Sequence, residues 1–300
     1  MRRNKGSLLQ AETYARVSAE AIDPIEKKPL YHFLPGTFSY SLGSIGCNFS
    51  CSHCQNWHIS RTDPAHTYLK TIRPEEAVAR AIANKCASIS WTYNEPTLWY
   101  EYTQDTGKIA HSRGIKTAYI TNGYMTTEAL TDLSSVLNAW RVDIKAFSED
   151  FYRNICRAHL QPVLDSTIHA KELGLHIEII YLIIPDLNDS EGEINAFIDW
   201  VMDSLGPTTP VHFTRFHPDY QMQDKIATPI KTLERTYDIA KQKGLLFPYL
   251  GNVPGHRYEN TWCPYCNNLL IGRSRYAIGP NNLDSDQCKH CGEKVEFFYR

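Results

Sequence analysis

The sequence predicts an α/β protein built on a parallel sheet, followed by a small module held by four cysteines. Three observations carry that prediction. From Phe38 to about residue 255, apolar strand patterns alternate with helix patterns, as in a parallel sheet covered by helices. Cys47, Cys51 and Cys54 crowd one loop. Four more cysteines form two C-x2-C pairs near the C-terminus, Cys263 with Cys266 and Cys288 with Cys291. A chain of 300 residues is long enough for one large domain with an appended module.

The elements follow in order. The first 22 or so residues carry little pattern. Asp23 to Thr37, DPIEKKPLYHFLPGT, reads as a lead-in segment lying on the domain, closed by a Pro-Gly turn. SYSLGSI is a strand that delivers the three-cysteine loop. A helix starts at Pro74, with proline in its first turn and acids that suit the dipole. Residues 87–93 form a strand, and 97–114 a helix ended by glycine. KTAYITNG is a strand, and TTEALTDLSSVLN a helix with a threonine cap. WRVDIKA (140–146) is a strand, followed by helical SEDFYRNICRA and QPVLDSTIHAKELG. LHIEIIYLIIP is a continuous apolar strand, DSEGEINAFIDWVMDSLG a helix, VHFTRF a strand and IKTLERTYDIAKQKG a helix. LLFPYLGNVPG ends the series. Six or seven units are too few for a closed eight-unit barrel of about 250 residues. They fit a partial barrel or a doubly wound open sheet, and in both the loops after the strands carry the chemistry. The expected division is 1–36 lead-in, 37–255 core and 256–300 four-cysteine module.

Bulk properties narrow the function. The formal net charge of -2 and pI near 6.6 give no broad basic field for nucleic acid. No run of eighteen apolar residues predicts a membrane span. The N-terminus is positive but lacks the apolar core of a secretory signal, so a cytoplasmic protein is expected. Nine cysteines, grouped three and four with Cys86 and Cys156 apart, then read as metal sites plus two small core residues.

The loop SIGCNFSCSHCQNW (44–57) spaces its thiols by three and then two residues. Thiolates are soft ligands that select zinc, copper(I) or iron–sulfur clusters. Three of them leave one iron of a cubane cluster without a protein ligand. A zinc site, buried thiols or a disulfide are the plainer readings of the loop alone.

The C-x3-C-x2-C loop, with aromatic His53 before the last cysteine, resembles the cluster loop of radical S-adenosylmethionine enzymes. The resemblance implies a partial (β/α)6-type parallel barrel and a 4Fe–4S cluster on Cys47, Cys51 and Cys54. It implies that the open iron holds the methionine part of S-adenosylmethionine, whose reductive cleavage gives a 5′-deoxyadenosyl radical that takes hydrogen from a substrate. An electron donor such as flavodoxin or ferredoxin is implied too. Four strand ends extend the likeness. WTYNEPT matches a Gly-Gly-Glu-Pro-like motif at Glu95 and Pro96, with Tyr93 and Asn94 in place of the glycines. ITNG matches the Thr-Asn-Gly of pyruvate formate-lyase-activating enzymes at Asn122 and Gly123, with Ile120 where those enzymes carry an acid. VDIKA matches Asp-Leu-Lys at Asp143 and Lys145, which a strand's period of two puts on one face. His217, in RFHPDY, falls where the activases place a histidine beside the cofactor. Ile180 replaces an activase arginine, which argues against the activases' own substrate. Glu95, Asn122, Asp143, Lys145 and His217 are therefore the expected cofactor contacts.

DPIEKKPLYHF, GNVPGH and the C-terminal cysteines resemble the AmmeMemoRadiSam-type group, named for co-occurrence with AMMECR1-like and Memo-like proteins, which become expected partners. Many of its members carry a further cysteine segment upstream of the point where this sequence starts. The two C-x2-C knuckles, 21 residues apart, read as a zinc ribbon, although iron also accepts four thiolates. The substrate stays open, a protein among the candidates. The rival readings are a glycyl-radical-enzyme activase and a non-catalytic zinc module that binds a protein or RNA.

Overall fold

The computed structural model describes residues 1–298. Its central sheet has eight strands: β1 (Ala19–Pro24), β2 (Phe38–Gly43), β3 (Ser88–Trp91), β4 (Lys116–Thr121), β5 (Ala139–Ile144), β6 (His176–Ile183), β7 (Val211–Arg215) and β8 (Pro248–Gly251). Strands β2 to β8 are parallel, and β1 pairs antiparallel with β2. Between the parallel strands lie α1 (Pro74–Ala83), α2 (Tyr100–Ser112), α3 (Thr127–Ser134), α4 (Gln161–Glu172), α5 (Glu191–Trp200) and α6 (Ile230–Gln242). Spatial order follows chain order without reversal. A doubly wound sheet needs a reversal to put helices on both faces. Without one, crossovers of a single hand put all helices on one face. The fold is therefore the partial barrel: six strand–helix units and a final strand.

Local chemistry explains the helices. In α1, Pro74 stands at the first turn with Glu75 and Glu76, and Ala77, Val78 and Ala81 form the buried face. Thr126 and Ser190 cap α3 and α5 through their hydroxyls. Two expected helices run into π-helical turns, the one after Trp200 at Val201–Leu205 and one that is mostly such a turn. SEDFYRNICRA forms a single α turn, Glu149–Phe151, and then a π-helical turn, Tyr152–Cys156, ended by Arg157 at φ 58°.

The strands are most apolar on the helix side. Trp140, Val142, Ile144, Ile177, Ile179 and Tyr181 pack in the core shared with the helices. Many opposite positions are polar: Ser39 bonds Ser90 at 2.6 Å, Arg141 pairs with Asp143, and His212 Nε2 hydrogen-bonds Glu178 at 2.8 Å. The lead-in segment meets this inner face and does not lie on the outside. Ile25, Leu30, Phe33 and Leu34 pack on Ala118, Ile120 and Ala139. The amides of Tyr31 and His32 donate to the Glu178 carboxylate at 2.9 and 2.8 Å. Arg141 Nε donates to the Lys28 carbonyl at 3.0 Å, and Lys28 pairs with Asp23 at 2.6 Å. Residues before it are also ordered into structure, as a hairpin (Arg2–Lys5 with Leu8–Ala11) and as β1, which takes its register from β2.

The C-terminal module has a three-stranded antiparallel sheet, Thr261–Trp262, Leu269–Ser274 and Ala277–Asn281. Leu270, Ile271, Leu283 and Val295 share one apolar cluster with Tyr31, Phe247 and Tyr249 of the barrel. The chain then returns to residues 25–34, the plug of the inner face, where Leu34 N donates to Phe298 O at 2.6 Å and Phe298 N to His32 O at 2.7 Å. Among the described residues no helix is long and apolar enough to cross a membrane.

Candidate active site

The three-cysteine loop leaves β2 and is tied down on two sides. Toward β3, Asn94 Oδ1 accepts from Ser44 N at 2.8 Å and its Nδ2 donates to Gly46 O at 3.1 Å. Toward the π-helical turn, Ser50 N donates to Cys156 O at 2.8 Å and Ser52 N to Ile155 O at 3.0 Å. Arg61 adds bonds to Ser50 Oγ and the Phe49 carbonyl. Phe49 is buried edge-on to Tyr124 and Tyr152.

All nine cysteines are free. Cys47 Sγ accepts from Phe49 N at 3.3 Å and from Asn122 Nδ2 at 3.7 Å. Burial, then the nearby Glu95 carboxylate, pushes the Cys47 thiol up to about 12, so a metal ion has to displace its proton on binding. His53 is buried, its Nδ1 has no hydrogen-bond partner, and burial holds it neutral with a pKa near 3. Among the described residues, Cys263, Cys266, Cys288 and Cys291 are the set whose ligand atoms all lie within 4.8 Å. Three free thiols on one pinned loop fit an iron–sulfur cluster.

Glu95 is buried and fully bonded. Its carboxylate accepts from Thr97 N (3.1 Å), Thr97 Oγ1 (2.6 Å), Thr121 Oγ1 (2.7 Å) and Asn122 N (2.8 Å). It thereby joins the end of β3 to the end of β4. Asn122 bridges Cys47 and Asn48, the latter at 2.7 Å, and its own Oδ1 accepts from Tyr124 N. Gly123 follows at φ 75°, where a Cβ would stand 2.8 Å from Val142 Cγ2, so both backbone and space require glycine.

Asp143 and Lys145 share a face as the period of two predicts, 2.8 Å apart. Burial opposes ionisation of Asp143, yet Arg141 and Lys145 outweigh it and hold the carboxyl below its usual range. Arg141, on the same alternation two residues earlier, is the partner that sequence reasoning missed. His217 is exposed in the loop after β7. That loop reaches the cysteine loop elsewhere, through Gln221 N on Ser52 O at 3.1 Å and Tyr220 stacked on Trp57. The structure thus joins Cys47, Glu95 and Asn122 in one network and Asp143 with Lys145 in another. His217 joins neither.

Two departures from the expected motif have a structural account. Tyr93, in place of a glycine, still adopts φ 74°, a conformation costly for a bulky residue. Its hydroxyl on Asp23 (2.9 Å) and Lys28 over its ring (4.7 Å) hold it there. Ile120, in place of an acid, faces the apolar plug.

In the module, Cys263 and Cys291 sulfurs lie 3.7 Å apart, as do those of Cys266 and Cys288. A tetrahedron with metal–sulfur bonds of ~2.3 Å has edges of about 3.8 Å. Asn268 Nδ2 and His290 N donate to Cys266 and Cys288 sulfurs, so these four residues could hold a metal ion.

This fold and cysteine loop define a class of iron–sulfur enzyme. Residues 42–198, more than half the chain, match the radical SAM superfamily model, and the chain belongs to that superfamily. It is 46% identical over 297 residues to the uncharacterized protein MJ0808 of Methanocaldococcus jannaschii, covering 98% of this chain and 88% of that one. It is 26% identical over 265 residues to the GTP 3′,8-cyclase of Actinobacillus succinogenes, covering 75% and 72%. Among solved structures, SuiB of Streptococcus suis bound to S-adenosylmethionine superposes with a TM-score of 0.56 at 14% identity. The match covers 72% of this chain and 52% of SuiB, and it speaks to fold alone. Membership supports cleavage of S-adenosylmethionine at an iron–sulfur cluster.

Proposed function

We propose that Cys47, Cys51 and Cys54 hold a 4Fe–4S cluster that binds S-adenosylmethionine, and that the enzyme abstracts hydrogen from a substrate held above the sheet. The observation that carries this reading is the pinned loop of three free thiols, the first of which, Cys47, meets Asn122. When bound, cluster and cofactor supply the electron transfer and the 5′-deoxyadenosyl radical. The chain's own residues position them. Asn122 orients Cys47 and Asn48. Glu95 acts through Asn122 and Thr121. Asp143 and Lys145 line the pocket, with Arg141 fixing Asp143. His217 is available to a bound cofactor from its exposed loop.

The electron comes from a donor such as flavodoxin or ferredoxin. The four C-terminal cysteines bind zinc in a structural role, for which their tetrahedral spacing is the support. DPIEKKPLYHF and GNVPGH support the AmmeMemoRadiSam-type group, with AMMECR1-like and Memo-like proteins as partners. Ile120 and Ile180 argue against the activase reaction.

The test is anaerobic reconstitution with iron and sulfide, reduction with dithionite, addition of S-adenosylmethionine and assay of 5′-deoxyadenosine. Product is expected from the wild type and not from Cys47→Ala, Cys51→Ala or Cys54→Ala. A wild-type chain that binds no iron at this loop refutes the proposal.

A further inference from the structure

Tyr93 forms the bend between the end of β3 and Glu95. Its φ is 74°, and Asn94 N donates across it to Thr92 O at 3.0 Å. A bond from residue i+2 back to residue i around a positive φ is the rare, strained form of the γ-turn, and here it is built on a bulky aromatic. The bend folds back on β2 so closely that a Cβ on Gly43 would stand 2.7 Å from Thr92 O and 2.9 Å from the Tyr93 ring. Support comes from residues 23–28. The Tyr93 hydroxyl donates to Asp23 Oδ2 at 2.9 Å, and Lys28 Nζ lies 4.7 Å over the ring. Asp23 and Lys28 are buried and paired at 2.6 Å, and Lys27 holds the other Asp23 oxygen at 2.8 Å. What the turn delivers is Asn94. That buried amide accepts from Ser44 N at 2.8 Å and donates to Gly46 O at 3.1 Å, so it grips the backbone that leads into Cys47. Strain of this kind persists only where its surroundings over-determine it, and it concentrates at functional sites.

Resting on the reading of Cys47, Cys51 and Cys54 as cluster ligands, we infer that Tyr93 is a positioning residue for that cluster. Its clamped γ-turn sets Asn94 against Ser44 and Gly46 and so fixes the backbone that carries Cys47. Asp23 and Lys28 hold the turn, which makes β1 and the segment after it part of the frame of the cysteine loop. The tyrosine side chain serves the conformation of its own backbone. Glycine reaches the same φ without a clamp. Alanine keeps the steric penalty of a Cβ in the left-handed region and has no clamp to offset it. A side chain that only filled space would give the opposite order, with glycine leaving the larger void.

The test is the rate at which the reconstituted full chain loses its cluster to an added chelator under anaerobic conditions, read from the EPR signal of samples reduced with dithionite. Tyr93→Ala should lose the signal about tenfold faster than the wild type. Tyr93→Gly should stay within about twofold of the wild type. Tyr93→Phe, which gives up only the hydroxyl on Asp23, should fall between them. Asn94→Ala cuts the two bonds onto the loop. It should lose cluster as fast as Tyr93→Ala, and combining it with Tyr93→Gly should not rescue it. A Tyr93→Gly chain that loses its cluster as fast as Tyr93→Ala, or faster, shows a space-filling role and overturns the inference while leaving the cluster assignment intact. So does wild-type retention in Asn94→Ala, and so does a Tyr93→Phe chain that behaves as the wild type while neither Tyr93→Ala nor Tyr93→Gly assembles a cluster. A wild type that assembles no cluster overturns the assignment of the triad and this inference with it.

Discussion

Arg273 of the four-cysteine module donates to the backbone carbonyl of Tyr31, inside the barrel, at 2.8 Å. Its guanidinium also lies 4.1 Å over the Tyr31 ring and donates to Thr261 Oγ1 at 2.6 Å. From Thr261 the bonds continue to the Tyr249 hydroxyl and to His32 Nε2, while His32 Nδ1 donates to the Glu296 carbonyl. Tyr31 and His32 in turn bind Glu178 on β6. Module, plug and barrel wall are one connected structure.

Metal removal should therefore be felt inside the barrel. A small four-cysteine unit depends on its metal for folding. Chelation, or Cys263→Ala, is expected to lower the melting temperature and speed amide exchange at residues 31–34. Exchange unchanged at those amides, with the metal gone, would disprove the coupling.

Arg273→Met should cost about 3–6 kcal/mol, since a buried charged donor serves two acceptors and each such bond contributes ~1.5–3 kcal/mol. Arg273→Lys should recover only part, because an ammonium lacks the planar fork. Urea unfolding of the metal-loaded protein measures both.

Acid should loosen the same junction. Burial pulls the His32 pKa down to about 3 from 6.5. Between those values the unfolded chain binds the proton and the folded chain does not. Stability is then full above pH 6.5 and falls as pH drops toward 3, by up to ~1.4 kcal/mol per pH unit. His32→Phe should flatten that slope in thermal melts taken across pH 4–7, and an unchanged slope would assign it to other groups.

Glu95→Ala should destabilise the metal-free chain by about 2–4 kcal/mol, as four donors, two of them buried, lose their acceptor. The melt is taken without S-adenosylmethionine. A variant as stable as the wild type that fails to bind the cofactor would make Glu95 a ligand contact and not a joint between strand ends.

Much of this was legible in sequence because it is local. Thiol spacing along one loop, proline and acids opening α1, glycine at position 123 and the same-face pairing of Asp143 with Lys145 all depend on neighbours a few residues apart. Arg141 was within reach of the same alternation, which simply had to be carried one step back. The broken helix at Tyr152–Cys156 was not, because its helical pattern is overridden by contacts with the cysteine loop.

The sequence by itself determined the alternation of strands and helices, the two cysteine groups and the superfamily they belong to. Tertiary structure alone decided that the sheet is wound in one sense, that residues 25–34 fill its inner face, and that the Tyr152–Cys156 turn backs onto the cysteine loop. The reason is distance along the chain. Tyr31 finds Glu178 across 147 positions and Arg273 across 242. No local propensity encodes such pairings. They follow from which buried polar groups the completed fold leaves facing one another, and each must then be satisfied.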